Sequence, residues 1–265
     1  MCSEWLKSGV AALCIVLGAC SVKENRSACP CYLIVDPVEI PSSIGDGRYP
    51  VRVEVSGKSD FRWDAQVGAE DCGMTLTVPA PRPNVFVSAM TGEEGCFVPG
   101  EGIRIPEGEQ CPPVYLFSKR VATDGETAYV APVLQKQFCT LTVRIVPVND
   151  VFLDSFHLQF EGSVNGYSLD AVPVEGNFRY ASYPSAEGLC TVRLPRQRNA
   201  SLMMEILEGD KQHRYFALGE YIEASGYDWT AFNLEDIHIE IDYASTGITV
   251  HVNGWDETIH FEILI

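Results

Sequence analysis

Apolar and polar residues alternate with a period of two along most of this chain, which is typical of β-strands with one buried face. Four segments show the pattern in the body of the chain, with apolar positions at Val51, Val53 and Val55; Leu141, Val143 and Ile145; Phe156, Leu158 and Phe160; and Leu202, Met204 and Ile206. Long helical periodicity is missing. One short helix is predicted at Gly219–Ser225, ending at Gly226.

Turn-forming residues gather between these segments, at Ser42–Gly47, Pro79–Asn84 and Pro99–Pro113. Many short antiparallel strands separated by such turns predict an all-β protein built of β-sandwiches. A domain boundary is predicted near Val133, because a Gly- and Pro-rich half ends there and Gln135–Pro147 begins a long new strand. The predicted organisation is a leader at 1–19, a first sandwich at 20–133 and a second at 134–265.

The end of the chain has the clearest alternation. Three apolar runs follow one another, at Ile237, Ile239 and Ile241; at Ile248, Val250 and Val252; and at Ile259, Phe261, Ile263 and Ile265. The Asn253-Gly254 pair predicts a tight turn before the last run. A terminal apolar strand is a candidate either for the core of its own sandwich or for exchange with a neighbouring subunit. Both alternatives remain open at the sequence level.

The first twenty residues have the form of a bacterial lipoprotein signal. A basic Lys7 is followed by an uncharged apolar run from Val10 to Leu17 and then by Leu17-Gly18-Ala19-Cys20. The run is far shorter than the roughly 20 apolar residues that span a bilayer. Cys20 is therefore predicted to become the first residue of the mature chain and to carry the lipid that attaches it to a membrane.

Composition excludes some classes of partner and leaves the cysteines undecided. The net charge of −17 argues against nucleic acid as a partner, and 46 % apolar residues argue against disorder. Beyond Cys20 seven cysteines remain, at positions 29, 31, 72, 96, 111, 139 and 190. They are either buried apolar side chains or members of disulfides. Because seven is odd, at least one would stay unpaired within the chain.

A search for catalytic and metal-binding motifs returns nothing specific. No catalytic residue, metal site or cofactor is predicted, so the protein is interpreted as a non-enzyme. The Glu93-Glu94 and Glu235-Asp236 pairs are interpreted as solvated surface carboxylates, and calcium binding between Glu240 and Asp242 is unsupported. The remaining candidates are three tryptophans that could form a sugar-stacking platform or, more simply, pack in the core: Trp63, Trp229 and Trp255.

Two blocks of sequence resemble the Bacteroidales fimbrial anchor lipoproteins of the FimB type, which accompany fimbrillins. The first is the mature N-terminus from Cys20 to Asp36, with Cys29-Pro30-Cys31 at its centre. The second is the tail, through Gly219–Trp229, Leu234–Ile237, Ile241–Tyr243 and Val252–Trp255. The region between, roughly 45–200, resembles the family only in its pattern of alternation.

This resemblance implies two transthyretin-like antiparallel β-sandwiches, an outer-membrane lipid anchor, and fimbrillin-type subunits as partners in a fimbrium built by strand exchange. Lys23-Glu24, just after Cys20, is similar to the short charged signal that sends such lipoproteins to the cell surface. The resulting hypothesis is an anchor or assembly subunit of a fimbrium, acting in cell adhesion. The alternative is a surface-exposed lipoprotein that binds a glycan or another ligand.

Overall fold

The computed structural model describes residues 29–36, 50–68, 74–93, 95–146, 156–208, 212–242, 247–252 and 259–262. These residues form nineteen β-strands and a single short helix, which confirms the predicted all-β, sandwich-like fold. The predicted lipidation site Cys20, the export signal Lys23-Glu24 and the last two apolar tail residues, Ile263 and Ile265, lie outside the described residues. No helix among the described residues is long and apolar enough to cross a membrane.

The first half of the chain supplies two sheets. A three-stranded sheet has the order β4 (Leu76–Ala80), β1 (Cys31–Val35) and β9 (Thr127–Val130). A five-stranded sheet has the order β10 (Gln135–Lys136), β8 (Tyr115–Ala122), β5 (Asn84–Thr91), β2 (Val51–Gly57) and β3 (Arg62–Val67). Alternation places every second side chain of β1 and β2 in the core, as expected for strands with one buried face. Strand β1 is central in its sheet and pairs antiparallel with β4 and parallel with β9.

The second half supplies a five-stranded sheet and most of a six-stranded sheet. The five-stranded sheet has the order β14 (Leu189–Pro195), β11 (Phe138–Val146), β17 (Ile237–Asp242), β18 (Gly247–Val252) and β19 (Ile259–Glu262). The other sheet runs β16 (Gln212–Phe216), β15 (Met203–Glu208), β12 (Phe156–Tyr167), β7 (Gly102–Arg104) and β6 (Phe97–Val98), with β13 (Pro173–Ser182) also paired to β12. One continuous apolar core runs through both halves.

Strands β6 and β7 come from the first half of the chain but pair in the six-stranded sheet with β12 of the second half. Ile103 of β7 lies opposite Tyr167 at the end of β12. The two strands approach closely at Gly102, where φ is +109° and a Cβ atom would lie 2.2 Å from the Tyr167 carbonyl oxygen. The Pro99–Pro113 stretch, predicted from sequence as turns, therefore contains a short strand. The division at residue 133 stays a prediction. Backbone hydrogen bonds join residues on its two sides, from the Gly108 N–H to the Arg179 carbonyl oxygen and from the Cys111 N–H to the Arg193 carbonyl oxygen.

The predicted Gln135–Pro147 strand is interrupted at Gln137. Its first two residues form β10, which pairs with β8 of the first half, whereas β11 pairs with β14 and β17 of the second half. Gln137 is the residue at which the chain passes from one group of sheets to the other.

The predicted short helix is confirmed as α1 (Leu218–Ala224), and Gly226 follows it with φ of +81°, the left-handed conformation expected at a helix end.

Candidate functional site at the Arg196 cavity

A cavity of about 710 Å³ lies where the strand interruption at Gln137 meets the loop after α1. We call it the Arg196 cavity. It is lined by Gln135, Gln137, Ala171, Pro173, Arg196, Gln197, Arg198, Glu223, Tyr227, Asp228, Trp229, Thr230 and Ala231. Its walls thus come from the β9–β11 connection, the β12–β13 turn, the segment after β14, α1 and the loop between α1 and β17.

Arg196 forms the back of this cavity and is only 9 % exposed. It comes directly after β14, in which Cys190, Val192 and Leu194 point into the core at every second position. The alternation stops there, because Pro195, Arg196 and Gln197 are buried in succession. Alternation would also place Arg198 in the core, yet its side chain is 53 % exposed, so the sequence pattern does not single out Arg196.

The Arg196 guanidinium makes five hydrogen bonds, all to neutral oxygen atoms. Nε donates to Gln137 Oε1 at 2.9 Å. The two Nη atoms donate to four backbone carbonyl oxygens, those of Trp229, Ala231 at 2.9 Å, Lys136 at 3.1 Å and Phe232 at 3.5 Å. Burial lowers the pKa of Arg196, because removal from water disfavours the charged form. Arg196 therefore fastens the loop after α1 to the interrupted strand.

The phenol of Tyr167 completes this junction from β12. Its hydroxyl donates to the Gln137 carbonyl oxygen at 2.6 Å and accepts from the Arg196 backbone N–H at 2.8 Å. Burial raises the pKa of Tyr167 well above its ordinary value, so the phenol stays neutral. The Arg196 N–H and the Gln137 carbonyl oxygen also bond each other at 3.0 Å, so the hydroxyl reinforces a backbone hydrogen bond that joins the break between β10 and β11 to the end of β14.

Asp236 holds the opposite side of the same loop. Its Oδ1 accepts from Lys136 Nζ and from the Thr140 backbone N–H, each at 2.7 Å. Burial acts to raise the pKa of Asp236, but the bonds from Lys136 and Thr140 outweigh it and hold the pKa below its usual value. The interpretation of Glu235-Asp236 as a solvated pair is therefore wrong for Asp236, because this carboxylate joins β17 to the start of β11.

Tyr227 and Trp229 form an aromatic pair in the cavity wall. Their ring centroids are 4.8 Å apart in an edge-to-face arrangement, and Trp229 is 7 % exposed. The Tyr227 hydroxyl donates to the Glu235 carbonyl oxygen at 2.8 Å, whereas the buried Trp229 Nε1–H has no hydrogen-bond partner. Trp63 lies in β3 and packs against the core of the first half, and Trp255 is outside the described residues. Packing, and not an exposed stacking platform, thus describes Trp63 and Trp229.

The described cysteines are free thiols, and most of them lie in the core. No disulfide joins any of the six in the described part of the chain, and four are buried: Cys31, Cys111, Cys139 and Cys190. Burial raises the pKa of Cys139 to about 12, which keeps its thiol protonated at neutral pH. The described part of the chain contains no cluster of His, Cys, Asp and Glu suited to a metal ion.

The structure places part of the predicted tail strand. Within β19, Ile259 lies opposite Val250 and Phe261 opposite Ile248, so the strand pairs with β18 of its own chain. Among the described strands it stands last in the order of its sheet. In the order of this sheet β19 stands at the opposite end from β14, and Arg196 directly follows β14. The tail strand and the Arg196 cavity are therefore separate features.

Comparison with known proteins confirms the fold that the resemblance implied. No protein-family model matches the sequence, and no curated protein matches it. Among solved structures, several proteins from Bacteroides and Porphyromonas have the same fold as this chain. One is the fimbrial anchor protein Mfa2 from Porphyromonas gingivalis, with a TM-score of 0.60 and 12 % identity over 88 % of this chain and 99 % of that one.

Two further structures have the same fold. A proposed polysaccharide-binding protein from Bacteroides thetaiotaomicron gives a TM-score of 0.63 at 12 % identity, covering 88 % of this chain and 98 % of that one. A proposed adhesin from Bacteroides ovatus gives 0.61 at 11 % identity, covering 87 % and 96 %. At these identities the likeness establishes the fold and its extent over nearly the whole of each relative.

Proposed function

We propose that this chain is an outer-membrane lipoprotein that acts as an anchor or assembly subunit of a fimbrium. The observation that carries the proposal is the likeness to the fimbrial anchor structure, which extends over 99 % of that protein. An isolated resemblance in one sandwich would support only a common domain. Correspondence through both groups of sheets supports a common architecture for the whole subunit.

The position of β1 suits a membrane anchor at the N-terminus. From Cys20 to Cys31 the chain spans at most about 40 Å when fully extended, so lipid on Cys20 would keep the first sandwich near the membrane. Leu33 and Val35 are fully buried, and β1 is paired on both sides. Force on the anchor would therefore act on a central strand and not on an edge strand that could peel away. Export to the cell surface through Lys23-Glu24 is part of the same proposal.

The position of β19 suits a subunit at one end of a polymer. In this proposal β19 stays paired with β18 inside its own sandwich and is not donated to a neighbouring subunit. An anchor at the end of a polymer needs only one polymerising surface. Among the described strands β19 is the outermost of its sheet, and in this proposal its outer side pairs with a strand of a partner. We infer that a fimbrillin-type subunit is that partner and that the anchor keeps its own tail.

Metabolic labelling with a clickable palmitate tests the anchor directly. Cys20→Ala should abolish labelling and release fimbrillin-type subunits from the membrane fraction. Cys29→Ala is the matched control, because Cys29 is exposed and only nine positions away, and it should label like the unchanged protein. Equal labelling of the Cys20→Ala variant would refute the lipid anchor. Normal labelling without any co-purified fimbrial subunit would refute the fimbrial role alone.

The second candidate function is ligand binding at the cell surface, and the Arg196 cavity is the observation that favours it. The relative from Bacteroides thetaiotaomicron is named as a proposed polysaccharide-binding protein, which is consistent with this candidate. Anchoring and binding involve different parts of the chain and are compatible.

A further inference from the structure

We propose that the outward face of the three-stranded sheet β4–β1–β9 lies on the lipid headgroup layer of the membrane that holds the protein's own anchor. The inference deepens the proposed function, because it rests on lipid at Cys20 and states which side of the protein the membrane covers. We call this surface the uncharged face. It consists of the outward side chains of the three strands: Tyr32, Ile34, Thr77, Pro79, Thr127 and Tyr129.

The uncharged face is a continuous patch across all three strands. The strand register arranges its side chains in two rows, Pro79–Tyr32–Thr127 and Thr77–Ile34–Tyr129. Alternate residues of the same strands point into the core, so the face has a packed sheet behind it. Tyr32 is 53 % exposed and Tyr129 is 65 % exposed. Two large aromatic side chains therefore stand in solvent on neighbouring strands.

The absence of charge distinguishes this face from the rest of the protein. Its strands of five, five and four residues contain no Asp, Glu, Lys, Arg or His, although the chain has a net charge of −17. Each of the other three described sheets presents charged side chains to solvent: Arg62 and Asp64, Arg179 and Glu161, and Arg144 and Glu240.

A face without charge can leave water with the smallest loss of hydration, because an ionised group loses far more than a hydroxyl does. Tyrosine suits the headgroup layer in particular, since its ring is apolar and its hydroxyl stays hydrated. The nearest carboxylates along the outer strands, Asp36 after β1 and Glu126 before β9, stand at opposite ends of the sheet. A zwitterionic headgroup layer accommodates them better than an anionic one.

The size of the face separates a membrane from a protein partner. Five residues at ~3.3 Å each and three strands ~4.8 Å apart give a footprint of roughly 250 Å². A stable protein–protein interface needs about 800 Å² on each partner. A tethered protein needs much less, because the tether supplies the effective concentration and the face has only to set the orientation. Tyr32 is twelve positions after Cys20, so the face is within reach of the layer that holds the lipid.

The test is quenching of tryptophan by lipid in the acylated protein. It is reconstituted in phosphatidylcholine vesicles with or without bromine atoms on the acyl chains, near the glycerol. Tyr129→Trp places a reporter on the uncharged face. Tyr183→Trp is the matched control, because Tyr183 is a 72 % exposed tyrosine directly after β13, in another sheet. We expect the fluorescence added by Tyr129→Trp to fall by about half in brominated vesicles, and that added by Tyr183→Trp to stay unchanged. Tyr32→Trp, on the neighbouring strand, should repeat the Tyr129→Trp result.

Flotation of the vesicles is measured on the same samples. A protein that floats, but whose Tyr129→Trp and Tyr32→Trp reporters are quenched no more than the Tyr183→Trp reporter, would overturn the docking and leave the lipid anchor in place. The same result is expected if a second copy of the chain covers the face, because the reporters are then shielded from lipid. Equal quenching of all three reporters would overturn the choice of face. A protein that does not float would overturn the anchor itself, and the docking with it.

Discussion

Replacement of Arg196 by methionine should destabilise the protein more than any other single change of a charged side chain in the cavity wall. Methionine has nearly the same length and occupies the buried space, but it carries no donors. Five acceptors would lose their hydrogen-bond donors, namely the amide oxygen of Gln137 and the four backbone carbonyls of the loop and the strand junction. The loop from Trp229 to Phe232 would then be held mainly by Asp236 and the aromatic pair.

The magnitude follows from the number of bonds and from the cost of burying the charge. Each of five hydrogen bonds contributes a net ~0.5–1.5 kcal/mol, and desolvation of the guanidinium offsets several kcal/mol of the sum. A buried acceptor that loses its donor costs roughly 1–3 kcal/mol. We expect a loss of about 3 kcal/mol, since methionine recovers some apolar burial. For a protein of this size that corresponds to a melting temperature lower by about 6–12 °C.

The assay is a pair of thermal melts with Arg198→Met as the matched control. Arg198 is two residues further along the chain, its side chain is 53 % exposed, and its contact with Glu175 is long, at 3.9 Å. An exposed ion pair of this kind contributes less than about 1 kcal/mol, so the Arg198→Met shift should be less than about 4 °C. Equal shifts in the two variants, or an unchanged melting temperature in Arg196→Met, would refute the role assigned to the Arg196 network.

Two further predictions concern Asp236 and the tail strand. Because the folded-state pKa of Asp236 is lowered, its ionised form stabilises the fold at neutral pH. Asp236→Asn should therefore melt earlier at pH 7, by less than about 1 kcal/mol for a carboxylate about a third exposed. The difference should begin to shrink below about pH 4, the unfolded-state pKa, and should close once the pH is below the folded-state pKa. A difference that stays constant from pH 7 to pH 3 contradicts this. Phe261→Asp should unfold the second sandwich if β19 completes its core, whereas His260→Asp, with the same charge on the next residue of the strand, should melt nearly normally. An unchanged melt of Phe261→Asp with lost co-purification of fimbrillin would show that the tail is a donor strand.

The sequence by itself determined the elements and their class. Alternation at Val51–Val55, Leu141–Ile145 and Ile237–Ile241 predicts β2, β11 and β17, because each strand needs only a local pattern with one apolar face. The helix α1 and its end at Gly226 are local for the same reason. The fold could also be assigned from the two blocks near the ends of the chain, because they resemble the fimbrial anchor lipoproteins and lie on either side of nearly the whole mature sequence. These features depend on residues close together in sequence.

Only the tertiary structure decided which strands meet and which polar side chains are buried. Strand β7 lies in a stretch rich in turn residues, and nothing local shows that it pairs with β12, more than sixty positions away. Arg196 and Arg198 stand in the same short polar segment, yet one is buried under five hydrogen bonds and the other faces solvent. Burial of a charged side chain becomes favourable only where carbonyls from distant segments converge on it. That convergence at Gln137 and Trp229 is a property of the assembled sheets, and the cavity beside it exists only there.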